Sequence, residues 1–179
     1  MHFARRCLQR RPGIEVVIGR IPYAAWKIFA PFHYMSANLN KSARCFGLWA
    51  NGRIAAFCGV LHRPHPKVHN LRGISRIVTL PDWQGIGLAF VLADILGAAY
   101  RALGFRFRNY PAHPAFVRAH RPEKWILCKK AGRFSAPNRA NQGAGVESER
   151  NVGGRPCAVF EFIGQPMDRM IAERLLCLG

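Results

Sequence analysis

The chain has 179 residues, room for one domain of ordinary size and too few for two generous ones. Half of the residues are apolar or aromatic and a fifth are charged, which excludes wholesale disorder and allows a buried core. The 27 Lys and Arg against 9 Asp and Glu leave a formal charge of +18, and 21 of the cations are Arg. A polyanionic partner is therefore the leading expectation, with an anionic membrane the weaker one, although a GC-rich genome would give the same arginine bias.

Residues 1–13 carry Arg5, Arg6, Arg10 and Arg11 and close on Pro12-Gly13, which reads as a basic N-terminal arm that grips phosphate or as a solvated tail. No apolar stretch before a small-residue cleavage site follows, and no run approaches a membrane span. The six cysteines form no C-x-x-C pair, and most lie in apolar runs such as Phe57-Cys58-Gly59-Val60. The expectation is a reduced, cytoplasmic protein with no membrane association and a single domain over residues 14–179.

Residues 14–21 are rich in β-formers and end at Pro22, and residues 24–34 suit a short helix that Pro31 interrupts. Residues 44–49 and 53–61 are apolar runs joined by Ala50-Asn51-Gly52, a strong hairpin signal. Residues 62–73 read as a loop, where His62, His65 and His69 match no zinc spacing and suit a solvated segment. A strand over 75–80 ends at Pro81. A long helix follows over 85–104, with Leu88, Val91, Leu92, Ile95, Leu96, Ala99 and Leu103 at helical spacing and Gly104 as its stop. Residues 105–110 alternate, Phe105 and Phe107 on one face and Arg106 and Arg108 on the other, presented to anions. The pattern predicts a helix over 114–125, a strand over 126–130, an irregular loop over 135–155, β structure over 156–163 and a terminal helix opened by Asp168. This order gives an α/β (α+β) fold, a mixed sheet with helices on its faces.

Chemistry concentrates in Ile77-Val78-Thr79-Leu80-Pro81-Asp82-Trp83-Gln84-Gly85-Ile86-Gly87-Leu88-Ala89. A strand running through a glycine-bearing turn into a long helix bares backbone N–H groups at the positive end of the helix dipole, an anion cradle. No Gly-Lys-Ser/Thr follows, so it is not a P-loop, and it lacks the three glycines of the dinucleotide fingerprint. An ordinary tight βα turn is the bland alternative.

Gln84, Gly87 and Ala89 in Gln-x-x-Gly-x-Ala resemble the acyl-CoA signature of the GNAT N-acetyltransferase superfamily. The resemblance extends over about residues 23–134. His33-Tyr34-Met35-Ser36, Ala43-Arg44-Cys45-Phe46, Ala56-Phe57-Cys58, Leu80-Pro81-Asp82-Trp83-Gln84-Gly85 and His113-Pro114-Ala115 look like the acetyltransferase domain fused to ABC-type ATPases. No Walker motif is present, so under that relationship the ATPase part is either absent or a separate partner on another polypeptide. His-Tyr-x-Ser is also similar to Mom-like phage proteins that modify adenine in DNA. The resemblance implies a mostly antiparallel sheet with a V between two strands, and acetyl-CoA or another acyl-CoA as cofactor. Pantetheine would run along the strand ending at Leu80, with Val78 and Leu80 in contact, and the pyrophosphate would sit on Gln84, Gly85, Ile86, Gly87, Leu88 and Ala89. A backbone N–H near residues 78–80 would hold the oxyanion.

Attack of an amine on a thioester needs a base, an oxyanion donor and an outlet for the thiolate. Asp82 is a candidate base and equally an acid favoured near a helix N-terminus. His33, Tyr34 and Ser36 cluster titratable groups in an aromatic stretch, against the alternative of a hydrogen-bonded helix end. His113 is a candidate or a helix cap. GNAT members frequently carry a tyrosine on the helix corresponding to residues 114–120, and none stands there. Tyr110, Tyr34 or His120 substitutes, or the thiolate leaves unaided. Trp83 belongs to the core or stacks on a base.

Arg5, Arg6, Arg10, Arg11, Arg106, Arg108, Arg118, Arg121, Lys129 and Lys130 are candidate nucleic-acid contacts, because CoA phosphates alone do not require +18. The expected acceptor is thus an amine on a nucleic acid base or carried by DNA or RNA. The alternatives are a non-catalytic nucleic-acid-binding module of GNAT-like fold and a GNAT enzyme acting on a small amine.

Overall fold

The computed structural model describes residues 13–33, 37–118, 121–130 and 157–176. The basic arm (bar Gly13), Tyr34, Ser36, His120 and the expected loop over 135–155 lie outside the described residues.

Asn51 and Gly52 take φ of 47° and 75°, the left-handed pair that a tight two-residue hairpin demands. They join β2 (Arg44–Ala50) to β3 (Arg53–His62), and β1 (Val16–Arg20) pairs antiparallel with β2 on the outer side. The Asn51 side chain also accepts the Glu15 N–H at 2.9 Å, which ties the start of β1 to the turn. Between β1 and β2, two 3₁₀ turns (Tyr23–Ala25 and Ala30–Phe32) flank the single-turn helix α1 (Trp26–Phe29).

β4 (Leu71–Thr79) continues the antiparallel meander on β3 and starts earlier than its sequence pattern indicates. Gly73 disguises the strand: a Cβ there would stand 2.7 Å from Tyr110 Cε2 and 2.9 Å from Arg63 Cγ, so glycine marks a close crossing rather than a loop. A 3₁₀ turn (Pro81–Trp83) leads to α2 (Leu88–Ala102), which carries the chain over to β5 (Arg106–Asn109), parallel to β4. The one-turn α3 (Pro114–Arg118) is shorter than the helix expected over 114–125, and Trp125 instead opens β6 (Trp125–Lys129). Pro122 accounts for the difference, because it disfavours helix in the residue before it. β7 (Val159–Phe162) inserts between β5 and β6, and α4 (Arg169–Leu176) closes the described chain, its first turn capped by Asp168 Oδ1 accepting from Ile171 N–H at 3.1 Å.

The seven-stranded sheet runs β1-β2-β3-β4-β5-β7-β6, antiparallel everywhere except between β4 and β5. Alternation along each strand feeds two cores. Phe46, Leu48, Cys58, Val60, Ile74, Phe107 and Phe160 face α2 and α4, with the Tyr100 ring stacked on Phe107 at 5.1 Å. Cys45, Phe57 and Val78 face the other way, against Trp26, Phe29 and Leu39. Trp83 packs on the larger core, which favours the core role over base stacking. Cys45, Cys58, Cys128 and Cys157 are free thiols, and burial pushes the Cys58 thiol far up. No helix among the described residues is long and apolar enough to cross a membrane.

Candidate active site

β4 and β5 pair only over Leu71↔Arg106, Arg72↔Phe107 and Gly73↔Arg108. Beyond Gly73, β4 continues to Thr79 on β3 alone, while β5 ends at Asn109, so the parallel pair opens into a V. Leu80 N–H donates to Ala55 O at 2.9 Å. Because backbone groups alternate along an antiparallel ladder, those of Val78 also turn to β3, whereas those of Ile77 and Thr79 turn into the V. The N–H groups of Val78 and Leu80 thus turn to β3, Leu80 O accepts from Trp83 N–H at 2.9 Å, and Val78 is a core side chain, so Thr79 is the residue of the expected 78–80 segment whose N–H faces the V.

The turn after β4 lies at the open end of the V. Gly85 and Gly87 have φ of 82° and 87°, and nothing stands within 4 Å of a Cβ built on either. Gly87 is the N-cap of α2 and supplies no side-chain cap. Among the described residues, no backbone carbonyl outside the regular ladders accepts from the N–H groups of Gly85, Ile86, Gly87, Leu88 or Ala89; the first such bond into Gly87 O comes from Phe90. These amides surround open space at the positive end of a 15-residue helix, which suits a diphosphate. Gln84 does not point its amide at that space: Nε2 donates to Thr79 O at 3.0 Å and closes the turn.

Asp82 is exposed in the 3₁₀ turn and is not the cap of α2, a place held by Gly87. His33 is half-buried at the end of the α1 region, its ring edge-on to Trp26 at 5.9 Å. His113 is exposed, and its carbonyl accepts from Val117 N–H at 3.1 Å, a backbone cap of α3. The three candidates thus sit on three separate elements. Tyr110 stands where the V begins, its ring against Gly73 and under the Arg63 guanidinium at 5.1 Å. Arg63 Nη2 donates to Ile74 O at 3.3 Å. Burial raises the Tyr110 phenol, with Arg63 and Arg108 pulling against it.

Several expected anion contacts are already partnered. Arg106 Nε and Nη2 donate to Glu161 at 2.6 and 2.7 Å, and Arg108 Nε donates to the same carboxylate at 2.8 Å. Arg121 and Lys124 pair with Asp94. Glu161 therefore offsets one of the two positive charges on the Arg face of β5, which keeps a net positive charge, and both guanidiniums are held in ion pairs. Arg118, Lys129 and Lys130 are exposed. Burial alone would raise the Glu161 carboxyl, but the hydrogen bonds from Arg106 and Arg108 outweigh it and hold it below its usual value near 4.5. A carboxyl lowered by folding stabilises fully above its unfolded value, and that stability drains as pH falls through the folded one. Glu161→Gln should accordingly cost about 1 kcal/mol at pH 7 in urea titrations, a gap that shrinks as the medium is acidified below about pH 4.5. A gap independent of pH would contradict the pairing.

The acetyltransferase (GNAT) family matches residues 17–120. Comparison with curated protein sequences returns no significant match. Among solved structures, the ribosomal-protein-S18-alanine N-acetyltransferase of Escherichia coli shares 16% identity at a TM-score of 0.56, covering 86% of this chain and 96% of its own. The IAA acetyltransferase of Bacillus cereus shares 15% at 0.59, covering 82% and 98%. A Bacillus subtilis acetyltransferase solved in complex with CoA shares 10% at 0.54, covering 87% and 100%. With the family matched over more than half of its length and the fold shared, this chain belongs to the acetyltransferase (GNAT) family.

Proposed function

We propose that this protein transfers an acyl group from acyl-CoA to an amine carried by a nucleic acid. The observation that carries the transfer is the V between β4 and β5 opening onto a turn of uncommitted amides. The N–H groups of residues 85–89 hold the diphosphate, and the gap-facing backbone groups of Ile77 together with the Thr79 N–H pair with the extended pantetheine arm. When bound there, acyl-CoA supplies an activated thioester. Tyr110, with its phenol kept protonated by burial, is the proton donor at the start of the V, and His33 is the base candidate on the acceptor face. Tyr110→Phe is expected to lower kcat while leaving acetyl-CoA affinity unchanged.

Two things support a nucleic acid acceptor: the +18 charge and the Mom-like His33-Tyr34-Met35-Ser36. The ion pairs of Arg106, Arg108 and Arg121 move the expected contacts to Arg118, Lys129, Lys130 and the basic arm. The test incubates the protein with labelled acetyl-CoA and either DNA, RNA or free amines across a salt series. Label on polynucleotide that declines steeply with salt is expected. Label on free amines alone refutes the acceptor, and absence of acetyl-CoA binding refutes the transfer itself.

A further inference from the structure

Arg63 follows directly on β3, and its N–H donates to Leu71 O at 3.0 Å. On the other side of β4, Asn70 O accepts from Arg106 N–H of β5 at 3.1 Å. Backbone groups alternate along the strand, so those of Leu71 and Gly73 turn to β3, and those of Ile74 turn to the gap beside β5. Side chains alternate as well. Ile74 belongs to the core under α2, so Gly73 opens on the opposite face of the sheet, the one that carries α1 and His33.

The Arg63 side chain crosses β4 on that face. A Cβ on Gly73 would stand 2.9 Å from Arg63 Cγ and 3.3 Å from its Nε, so glycine is what lets the crossing lie this close to the strand. The crossing ends with Nη2 donating to Ile74 O at 3.3 Å, one residue past the last β4–β5 pair. The guanidinium therefore sits where the two strands part. There it covers the Tyr110 ring, 5.1 Å from the centroid, while the same glycine admits the ring edge. Tyr110 comes after β5 has ended at Asn109, so the strand ladder does not place it. Its ring is held instead between the bare backbone of Gly73 and a planar cation tied to Ile74.

We propose that Arg63 is a positioning residue for Tyr110, holding its ring at the start of the V where a proton donor to the gap must stand. This rests on the reading of Tyr110 as that donor. The charges around the phenol come from three elements. Arg63 at the end of β3 and Arg108 on β5 favour its ionised form, whereas burial and Glu161 on β7 oppose it.

The experiment replaces the four tyrosines of the full chain with fluorotyrosine and follows the fluorine signals through alkaline titration. The signal missing from Tyr110→Phe is that of Tyr110. In Arg63→Gln, Tyr110 should become a weaker acid by about threefold, because a cation has left its ring. Unmoved signals from Tyr23 and Tyr100 would show the fold intact. With acetyl-CoA and polynucleotide, Arg63→Gln should lower kcat about tenfold at unchanged KM for acetyl-CoA, and should cause no further loss when added to Tyr110→Phe. Arg63→Lys keeps the charge without the planar stack, so it should restore the titration more fully than kcat. A brace acting on β4 alone would lower kcat equally in both backgrounds. That result, or an unmoved Tyr110 signal in Arg63→Gln, overturns the proposal. A chain that transfers nothing, or a fully active Tyr110→Phe, refutes the proton-donor reading instead. The fluorine titration needs neither acceptor nor acetyl-CoA and still decides whether Arg63 holds the ring.

Discussion

Gly87→Val is expected to weaken acetyl-CoA binding by about a hundredfold, equivalent to about 2.7 kcal/mol. Two effects combine. At φ of 87° a side chain pays a left-handed backbone penalty of about 1–2 kcal/mol, and a branched one pays most. The second effect acts only on the ligand: the space above Gly87 is open, so the new methyl groups occupy the volume in which the amides converge on an anion. Gly104 provides an internal control. Its φ is 78° and its Cβ position is equally open, but it ends α2 instead of starting it. Gly104→Val should show the same loss of thermal stability with unchanged affinity in calorimetric titration. Equal affinity losses in the two variants would mean that backbone strain, not the cradle, was measured, and the cofactor site would have to be sought elsewhere.

What the sequence discloses depends on how local the governing chemistry is. Asn51-Gly52 selects its turn without outside help, and the strand–glycine–helix order around Gly87 places the amide cradle from a dozen residues. The inner edge of the V is different. Whether Val78 or Thr79 offers its N–H depends on which residues of β4 are hydrogen-bonded to β3, a register shifted by the irregularity between Gly59 and Val60. Nothing within residues 77–80 encodes that phase. Long-range pairing hides the rest: Arg106 and Arg108 present one face as read, but Glu161 engages both from 55 and 53 positions away and offsets one of their two charges. Gly73 is a signal open to misreading, since a glycine inside a strand marks a close crossing as readily as a loop. Tyr110 and Arg63 are what cross there, which joins the tyrosine to the V.

Asp94→Ala is expected to destabilise the fold by about 3 kcal/mol, the largest cost of any polar truncation among the residues discussed. Asp94 is a buried acid in the middle of an apolar helix and only 7% exposed. Its Oδ1 accepts from Trp125 Nε1 at 2.7 Å, and its Oδ2 takes Lys124 Nζ at 3.0 Å together with the Arg121 guanidinium. The two cations are partly exposed and water can re-solvate them, so their share is small. The indole is buried and has no such recourse, so the lost acceptor dominates. Asp94→Asn keeps a carbonyl oxygen for Trp125 and should cost only about 1 kcal/mol. For a chain of this length the alanine variant should melt roughly 6–12 °C lower, and the asparagine variant roughly 2–4 °C lower. The order of the two variants is the decisive reading. If asparagine is as damaging as alanine, the ion pairs and not the indole bond fasten β6 to α2. If neither lowers the melting temperature, Asp94 anchors nothing, and the early arrival of Trp125 in the sheet must be ascribed to Pro122 and side-chain burial alone.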